Sequence, residues 1–183
     1  MVVRKLVEAG HTVRILARPT SNMRQVHDLP IEIITGDLSD VPALHQGMQG
    51  CDWVFHVAAL YSYWGHSWEE FYQSNVVGTQ NVLQAAGDAS VPRIVYTSSI
   101  AALGLPTGDK PADEETLVNL ADKIGFYKQS KYQAEQVALE FAYQGLPLVI
   151  VNPAAPVGVG DYKPTDTGKM IVDFLHGRMF GYV

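Results

Sequence analysis

The chain has 183 residues, about one domain at roughly 150 residues each. With 47% hydrophobic and 17% charged residues and a mean hydropathy of +0.01, it can bury a core and does not read as disordered. A net charge of −6 without any block of Lys or Arg excludes the footprint of a nucleic-acid binder or of a ligand for anionic membranes. No apolar run approaches the roughly 18 residues of a membrane span. The single cysteine, Cys51, excludes an internal disulfide, and the six histidines show no metal-ligand spacing. A cytoplasmic protein without a metal is expected.

Taken in chain order, Val2–Glu8 places Val2, Val3, Leu6 and Val7 on one helical face, with Gly10 as a left-handed stop. Thr12–Ala17 is a β-rich run closed by Arg18-Pro19, Ser21–Leu29 is a weakly periodic short helix, and Ile31–Thr35 is an apolar strand ending at Gly36-Asp37. Asp40 can cap a helix running through Met48, with Pro42 tolerated in its first turn. Trp53–Ala59 is the next apolar strand and Trp68–Ala86 a long helix. Arg93–Thr97 is a strand ending in Ser98-Ser99, Phe126–Gln144 a helix stopped at Gly145, and Pro147–Val151 the last strand. From Asp173 to Val183 no closing element is expected.

Apolar strands separated by helices predict an α/β fold, a doubly wound, mostly parallel sheet covered on both faces. Ligands of such sheets sit outside the carboxyl ends of the strands. The two longest loops, Leu60–Ser67 and Ala101–Gly125, leave from that end. A dinucleotide-binding sheet normally opens with a strand and a glycine-rich turn. Here the first element is a helix, and the only Gly-x-Gly is Gly158-Val159-Gly160, after the last strand. The fold is therefore expected to be incomplete at both ends, with unpaired strands beside the missing centre of the sheet.

Tyr127 and Lys131 stand four apart on a predicted helix and so share a face. That spacing alone fits an amphipathic contact better than an acid–base pair. Ser98 and Ser99 end the preceding strand, where such a sheet presents catalytic groups, although a turn or cap hydroxyl reads the same way. Together a hydroxyl, a phenol and an ammonium make an acid–base set. A neighbouring Lys⁺ favours the phenolate of a tyrosine whose free pKa is about 10. The phenol can then move a proton to or from a substrate oxygen that the serine holds.

The run Val95-Tyr96-Thr97-Ser98-Ser99, then Tyr127-Lys128-Gln129-Ser130-Lys131, then Asn152-Pro153, resembles the extended short-chain dehydrogenase/reductase superfamily. Gly36-Asp37-Leu38, His56-Val57-Ala58-Ala59 and Asn75-Val76-Val77-Gly78-Thr79 match it in the same order. Ala17-Arg18-Pro19-Thr20-Ser21 and Lys163-Pro164-Thr165 resemble its dihydroflavonol-reductase-like branch, and most of all the hopanoid-associated sugar epimerases.

The resemblance implies a Rossmann-like NAD(P)-binding domain, partial over residues 1–183, with 154–183 the start of the substrate-binding region. It implies an NAD(P)-dependent oxidoreductase, or a nucleotide-sugar epimerase or dehydratase, that moves hydride between nicotinamide and a carbinol carbon. Ser99 matches the substrate-orienting serine, Tyr127 the acid/base and Lys131 its partner; Tyr127 and Lys131 also count among the cofactor-binding residues, Lys131 through the nicotinamide ribose. Asp37 matches the acid near the adenine amine, with Leu38 beside the ring. Ala58 and Ala59 line the cofactor, Asn75 supports the site, and Thr97 and Pro153 flank the nicotinamide. The second strand of the family fold ends here in Leu16-Ala17-Arg18, with no carboxylate for a ribose 2′-hydroxyl. Arg18 suits a 2′-phosphate, which favours NADP over NAD unless it is simply a surface arginine.

The partner implied is a small-molecule substrate, a sugar or a hydroxy or keto compound. A homodimer through Trp68–Ala86 and Phe126–Gln144 is the family's usual assembly. Lacking a phosphate-binding turn, the chain also admits a catalytically inactive binding protein or a non-functional truncated product. Tyr61, Tyr63, Trp64 and Trp68 can stack on a substrate or anchor their own loop. His66 reads as a surface residue, His56 as a hydrogen-bonded core histidine, Cys51 as an inert thiol, and Asp109–Glu115 as a solvated acidic stretch.

Overall fold

A computed structural model describes residues 1–62, 64–106, 108, 111–161 and 166–179. Helix α1 (Val2–Glu8) closes at Gly10, whose φ of +85° reverses the chain while its N–H and that of His11 bond back to Val7 and Leu6. Strand β1 (Val13–Ala17) follows and pairs in parallel with β2 (Ile31–Thr35), Val13 opposite Ile31 and Ala17 opposite Thr35.

The segment between them is not the helix expected at Ser21–Leu29 but a series of turns. Two local effects work against a helix there. The Asn22 side chain takes the Arg24 N–H at 2.9 Å, and Pro30 disfavours helical geometry at Leu29. Asp28 instead pairs with Arg4 of α1.

Helix α2 (Val41–Met48) starts as its sequence predicts, with the Asp40 carboxylate accepting the Ala43 N–H at 3.1 Å and Pro42 in the first turn. Strand β3 is shorter than expected, Val54–His56 only, and its ladder with β4 (Ile94–Thr97) ends at the His56–Tyr96 pair. The long helix begins at a Ser67/Glu70 capping box as α3 (Trp68–Phe71). It widens into a π turn over Tyr72–Val77 and continues as α4 (Gly78–Asp88). Gly78 lets that junction meet the chain after β2, since a Cβ there would lie 2.9 Å from the Leu38 Cβ.

After β4 come two single 3-10 turns, Ile100–Ala102 and Leu120–Asp122, then α5 (Phe126–Tyr143), β5 (Leu148–Val151) and α6 (Asp166–Leu175). Helix α6 lies mostly before the Asp173–Val183 stretch where no closing element was expected and enters it only with its last turn. Met170, Ile171, Phe174 and Leu175 form its apolar side and stay at least partly exposed, 38–75%.

All strand pairs are parallel, but the sheet is in two parts, β1-β2 and β3-β4-β5. Among the described residues β1, β2, β3 and β5 are each paired on one side only. Helix packing bridges the parts: α2 lies on β1 and β2 and against α4, which in turn lies on β3 and against α5. The core fills this helical side, with Leu44, Val76, Val82, Leu83, Ile94, Tyr96, Ala134 and Ala138 buried. On the trio's other face Phe55, Val57, Val149 and Val151 are 37–59% exposed, because α2, α4 and α5 all pack on one side. The described residues thus cover one face well, where strands apolar throughout had predicted cover on both.

Candidate active site

The carboxyl ends of β3, β4 and β5 carry most of the polar side chains that the core buries. Lys131, one turn into α5, is 2% exposed. Its ammonium donates to the Thr97 carbonyl at 3.0 Å and the Tyr96 phenol at 3.4 Å, 5.0 Å from the centre of the Tyr96 ring. Two of its three donors are thereby spent. Burial pushes Lys131 down to about 8, against the pull of the Glu135 carboxylate. The same burial pushes the Tyr96 phenol up to about 12.

His56 stacks on Tyr96 with centroids 5.2 Å apart, and its Nε2 lies 2.9 Å from the Thr79 hydroxyl. Burial, then the Lys131 charge, holds it down at about 3, so it is a neutral core histidine. The buried Ser98 hydroxyl points near the same phenol but makes no hydrogen bond of good geometry among the described residues.

Ser99 leaves β4 in extended backbone, half-buried, and its hydroxyl accepts the Ala101 N–H at 3.1 Å. It is therefore a turn cap whose own proton is still available to donate. Tyr127, one turn before Lys131, is half-buried with its ring edge-on to Tyr61, centroids 4.9 Å apart. Asn75, in the π turn and 2% exposed, holds both main-chain polar groups of Leu60, accepting its N–H at 2.7 Å and donating to its carbonyl at 3.0 Å. It also donates to Ser130 at 2.9 Å, and Ser130 donates to the Tyr127 carbonyl at 2.9 Å. The π widening belongs with this position, as such turns often mark functional sites. Lys123, 5% exposed, donates to the carbonyls of Ala101 and Leu103, and its own carbonyl accepts from Gln129. The long loop after Ser99 is thus tied to the start of α5.

Two residues of this rim carried no assignment from the sequence. Asn152, at the end of β5, donates to the Ser99 carbonyl at 3.1 Å and to the Glu135 carboxylate at 2.6 Å. The i, i+4, i+8 spacing of Tyr127, Lys131 and Glu135 was the signal that could have found the second. Beside them Pro153 accepts the Ile100 N–H at 3.2 Å.

The β1–β2 rim is different. Arg18 and Asp37 are exposed at the ends of neighbouring strands. Asp37 Oδ1 accepts both the N–H and the hydroxyl of Ser39, which holds its carboxyl below the usual range and leaves Oδ2 with its acceptor capacity. Leu38 sits over Gly78, with its carbonyl taken by Asn81 at 2.9 Å. Ala58 and Ala59 run exposed past the end of β3.

These residues fit the nucleoside ends of a nicotinamide dinucleotide. The donor set offers an ammonium with spare capacity at one end, and a carboxylate oxygen, a guanidinium and small uncovered side chains at the other. Among the described residues no glycine-rich turn leads from a strand into a helix, so nothing here cradles a diphosphate.

Beside Tyr127, the aromatic loop and the start of α5 enclose a cavity of about 200 Å³, lined by Ser62, Trp64, His66, Phe71, Ile124 and Phe126 among others. His66 is exposed and pairs with Glu70 at 3.2 Å. Cys51 donates to the Gly47 carbonyl, away from this rim. Asp113 caps its own turn by accepting from Glu115 and Thr116. Tyr63, Asp109 and the Lys163-Pro164-Thr165 match lie outside the described residues.

Residues 1–178 match the model of the NAD dependent epimerase/dehydratase family. A putative dihydroflavonol 4-reductase of Synechocystis is 50% identical over 182 residues, all of this chain and 53% of that protein. The crystal structure of gox2253 superposes with a TM-score of 0.91 at 47% identity, over 99% of this chain and 55% of that one. MoeE5, solved with UDP-glucuronic acid and NAD, gives 0.66 at 28% identity, over 81% of this chain and 48% of its own. The chain spans about half the length of the curated relatives it matches.

Proposed function

The chain belongs to the NAD-dependent epimerase/dehydratase family, and from that footing we propose that it carries the proton-handling half of a nicotinamide-dependent reductase or epimerase. The observation that carries this is the buried Lys131 ammonium, one turn from Tyr127 on α5 and bonded to the Thr97 carbonyl, two residues before Ser99 in the chain. Bound nicotinamide supplies a hydride donor or acceptor for the substrate's carbinol carbon. Lys131 binds its ribose with the remaining donor, and Thr97 and Pro153 flank the ring. Ser99 donates its hydroxyl proton to the substrate oxygen and fixes its position. Tyr127 gives that oxygen a proton when a carbonyl is reduced and takes one when an alcohol is oxidised. The Lys131 charge makes the phenolate less costly in both directions.

Asp37 and Leu38 hold the adenine end, and Ala58 and Ala59 let the backbone approach the ligand closely. Arg18, with no carboxylate at the end of β1, supports NADP as the preferred form. The aromatic-lined cavity beside Tyr127 supports a hydroxy or keto substrate with a ring to lay against it. The test uses the full-length gene product with NADPH deuterated at the transferable position against ring-bearing ketones, and with NADP+ against nucleotide sugars, whose carbinol an epimerase must first oxidise. A reductase leaves deuterium in the product and consumes cofactor mole for mole, whereas an epimerase inverts the carbinol with no net consumption. Neither outcome across the panel, with cofactor bound, would contradict the proposal.

A further inference from the structure

Glu135 is a buried carboxylate, 8% exposed, that no step above uses. It lies one turn beyond Lys131 on α5, and its Oε2 accepts from the Asn152 amide at 2.6 Å. The same amide nitrogen donates to the Ser99 carbonyl at 3.1 Å. Beside this bridge the ends of β4 and β5 are joined by Ser98 N–H to Val151 O at 2.8 Å and Ile100 N–H to Pro153 O at 3.2 Å. Those backbone bonds fix the strands to each other but not to the helix. Through Asn152, Glu135 links the Ser99 carbonyl to α5, which bears Tyr127 and Lys131, and adds to the Lys131 bond with the Thr97 carbonyl two residues earlier.

We propose that Glu135 is a positioning residue, setting the Ser99 main chain against α5 through Asn152. This rests on the reading of Ser99, Tyr127 and Lys131 given above. A charged acceptor in a buried site holds an amide more firmly than a neutral one, and its other partners are fixed. Its charge also acts on its neighbours. It opposes the loss of the Lys131 proton, and Lys123 and the Tyr96 phenol feel the same field, while His56 faces Lys131 from β3. Geometry and charge can therefore be separated by substitution. Glu135→Gln keeps an oxygen that accepts from Asn152 and removes the charge, whereas Glu135→Ala removes both.

The experiment uses the full-length gene product, with the substrate found in the deuterium assay. Glu135→Ala is expected to lower kcat about 10- to 100-fold with KM little changed, because the loss is one of alignment. Glu135→Gln is expected to retain most of kcat on the acid side while the alkaline limb of the pH profile moves down by about one unit, since Lys131 loses the charge that keeps it protonated. Without any substrate, hydrogen exchange at the Ile100 and Ala101 amides should quicken in Glu135→Ala and stay near wild type in Glu135→Gln. Wild-type kcat and pH profile in both variants, alongside a dead Tyr127→Phe, would overturn the assignment of Glu135 alone. Retained turnover in Tyr127→Phe would instead overturn the reading beneath it.

Discussion

The two rims at the carboxyl ends of the strands are built on opposite plans. At β3–β5 the polar groups are interior: His56, Asn75, Tyr96, Ser98 and Lys131 are all at most 6% exposed, most of them bonded to another element. At β1–β2 the groups that would meet a ligand, Arg18 and Asp37, stand in water, each on its own short turn. Burial in the first region lowers proton affinities strongly, to about 3 for His56 and about 8 for Lys131, whereas Asp37 is lowered first by its bonds to Ser39 and then by the Asp40 N–H and the Arg18 charge. The rim that would do chemistry is shaped before any ligand arrives, at the cost of desolvating charge. The rim that would recognise adenosine relies on exposed side chains and has little electrostatic leverage in solvent.

Substitutions should therefore cost much more at the first rim than at the second. The largest effect is expected for Lys131→Met, which keeps the stem and removes the ammonium. Turnover should fall about 10²- to 10⁴-fold. In the parent protein kcat/KM should decline above about pH 8 as the ammonium loses its proton, and a pH profile flat to pH 10 would contradict this. Asn75→Leu comes next. It strips the Leu60 N–H and carbonyl and the Ser130 hydroxyl of their partner, so unfolding in urea should show a loss of about 2–3 kcal/mol. A loss near zero would mean that water takes over those bonds.

His56 gives a smaller, pH-dependent effect. Its folded affinity lies below the free value of 6.5, so the unfolded chain takes up a proton that the native one refuses. Stability should be unaffected by His56 above about pH 6.5 and fall below it by at most about 1.4 kcal/mol per unit as pH drops toward 3. Urea midpoints between pH 6.5 and 5, above the range where carboxylates titrate, isolate this term. A His56→Gln variant should lose the slope there. The smallest effect belongs to the open rim: Arg18→Ser should weaken NADPH about tenfold and leave NADH alone, read by fluorescence titration. Equal weakening of both would show that Arg18 does not meet a 2′-phosphate.

The same contrast explains what the sequence disclosed. Elements with strong period and clear caps, such as Asp40 before α2 and Gly145 after α5, were readable because local chemistry decides them. Residues 21–29 were not, since one Asn side chain and the Pro30 ring outweigh a weak apolar pattern. The π turn escaped because its cause is tertiary: Asn75 is positioned toward Leu60 and Ser130, 15 and 55 residues away in sequence. Residues matched by motif, Ser99, Tyr127 and Lys131, do converge on one rim. Asn152 stood in a matched motif without a role, and Glu135 was signalled only by its spacing from Lys131; what the two do lies in a contact between elements.

In the proposed mechanism Tyr127 moves the proton and contributes little to cofactor affinity. Its most direct test is Tyr127→Phe in the full-length gene product, measuring NADPH affinity and single-turnover rate on the same preparation. The account predicts affinity within about twofold of the parent and a rate reduced about 10²-fold or more. A rate near that of the parent, with the protein folded and cofactor bound, would contradict it.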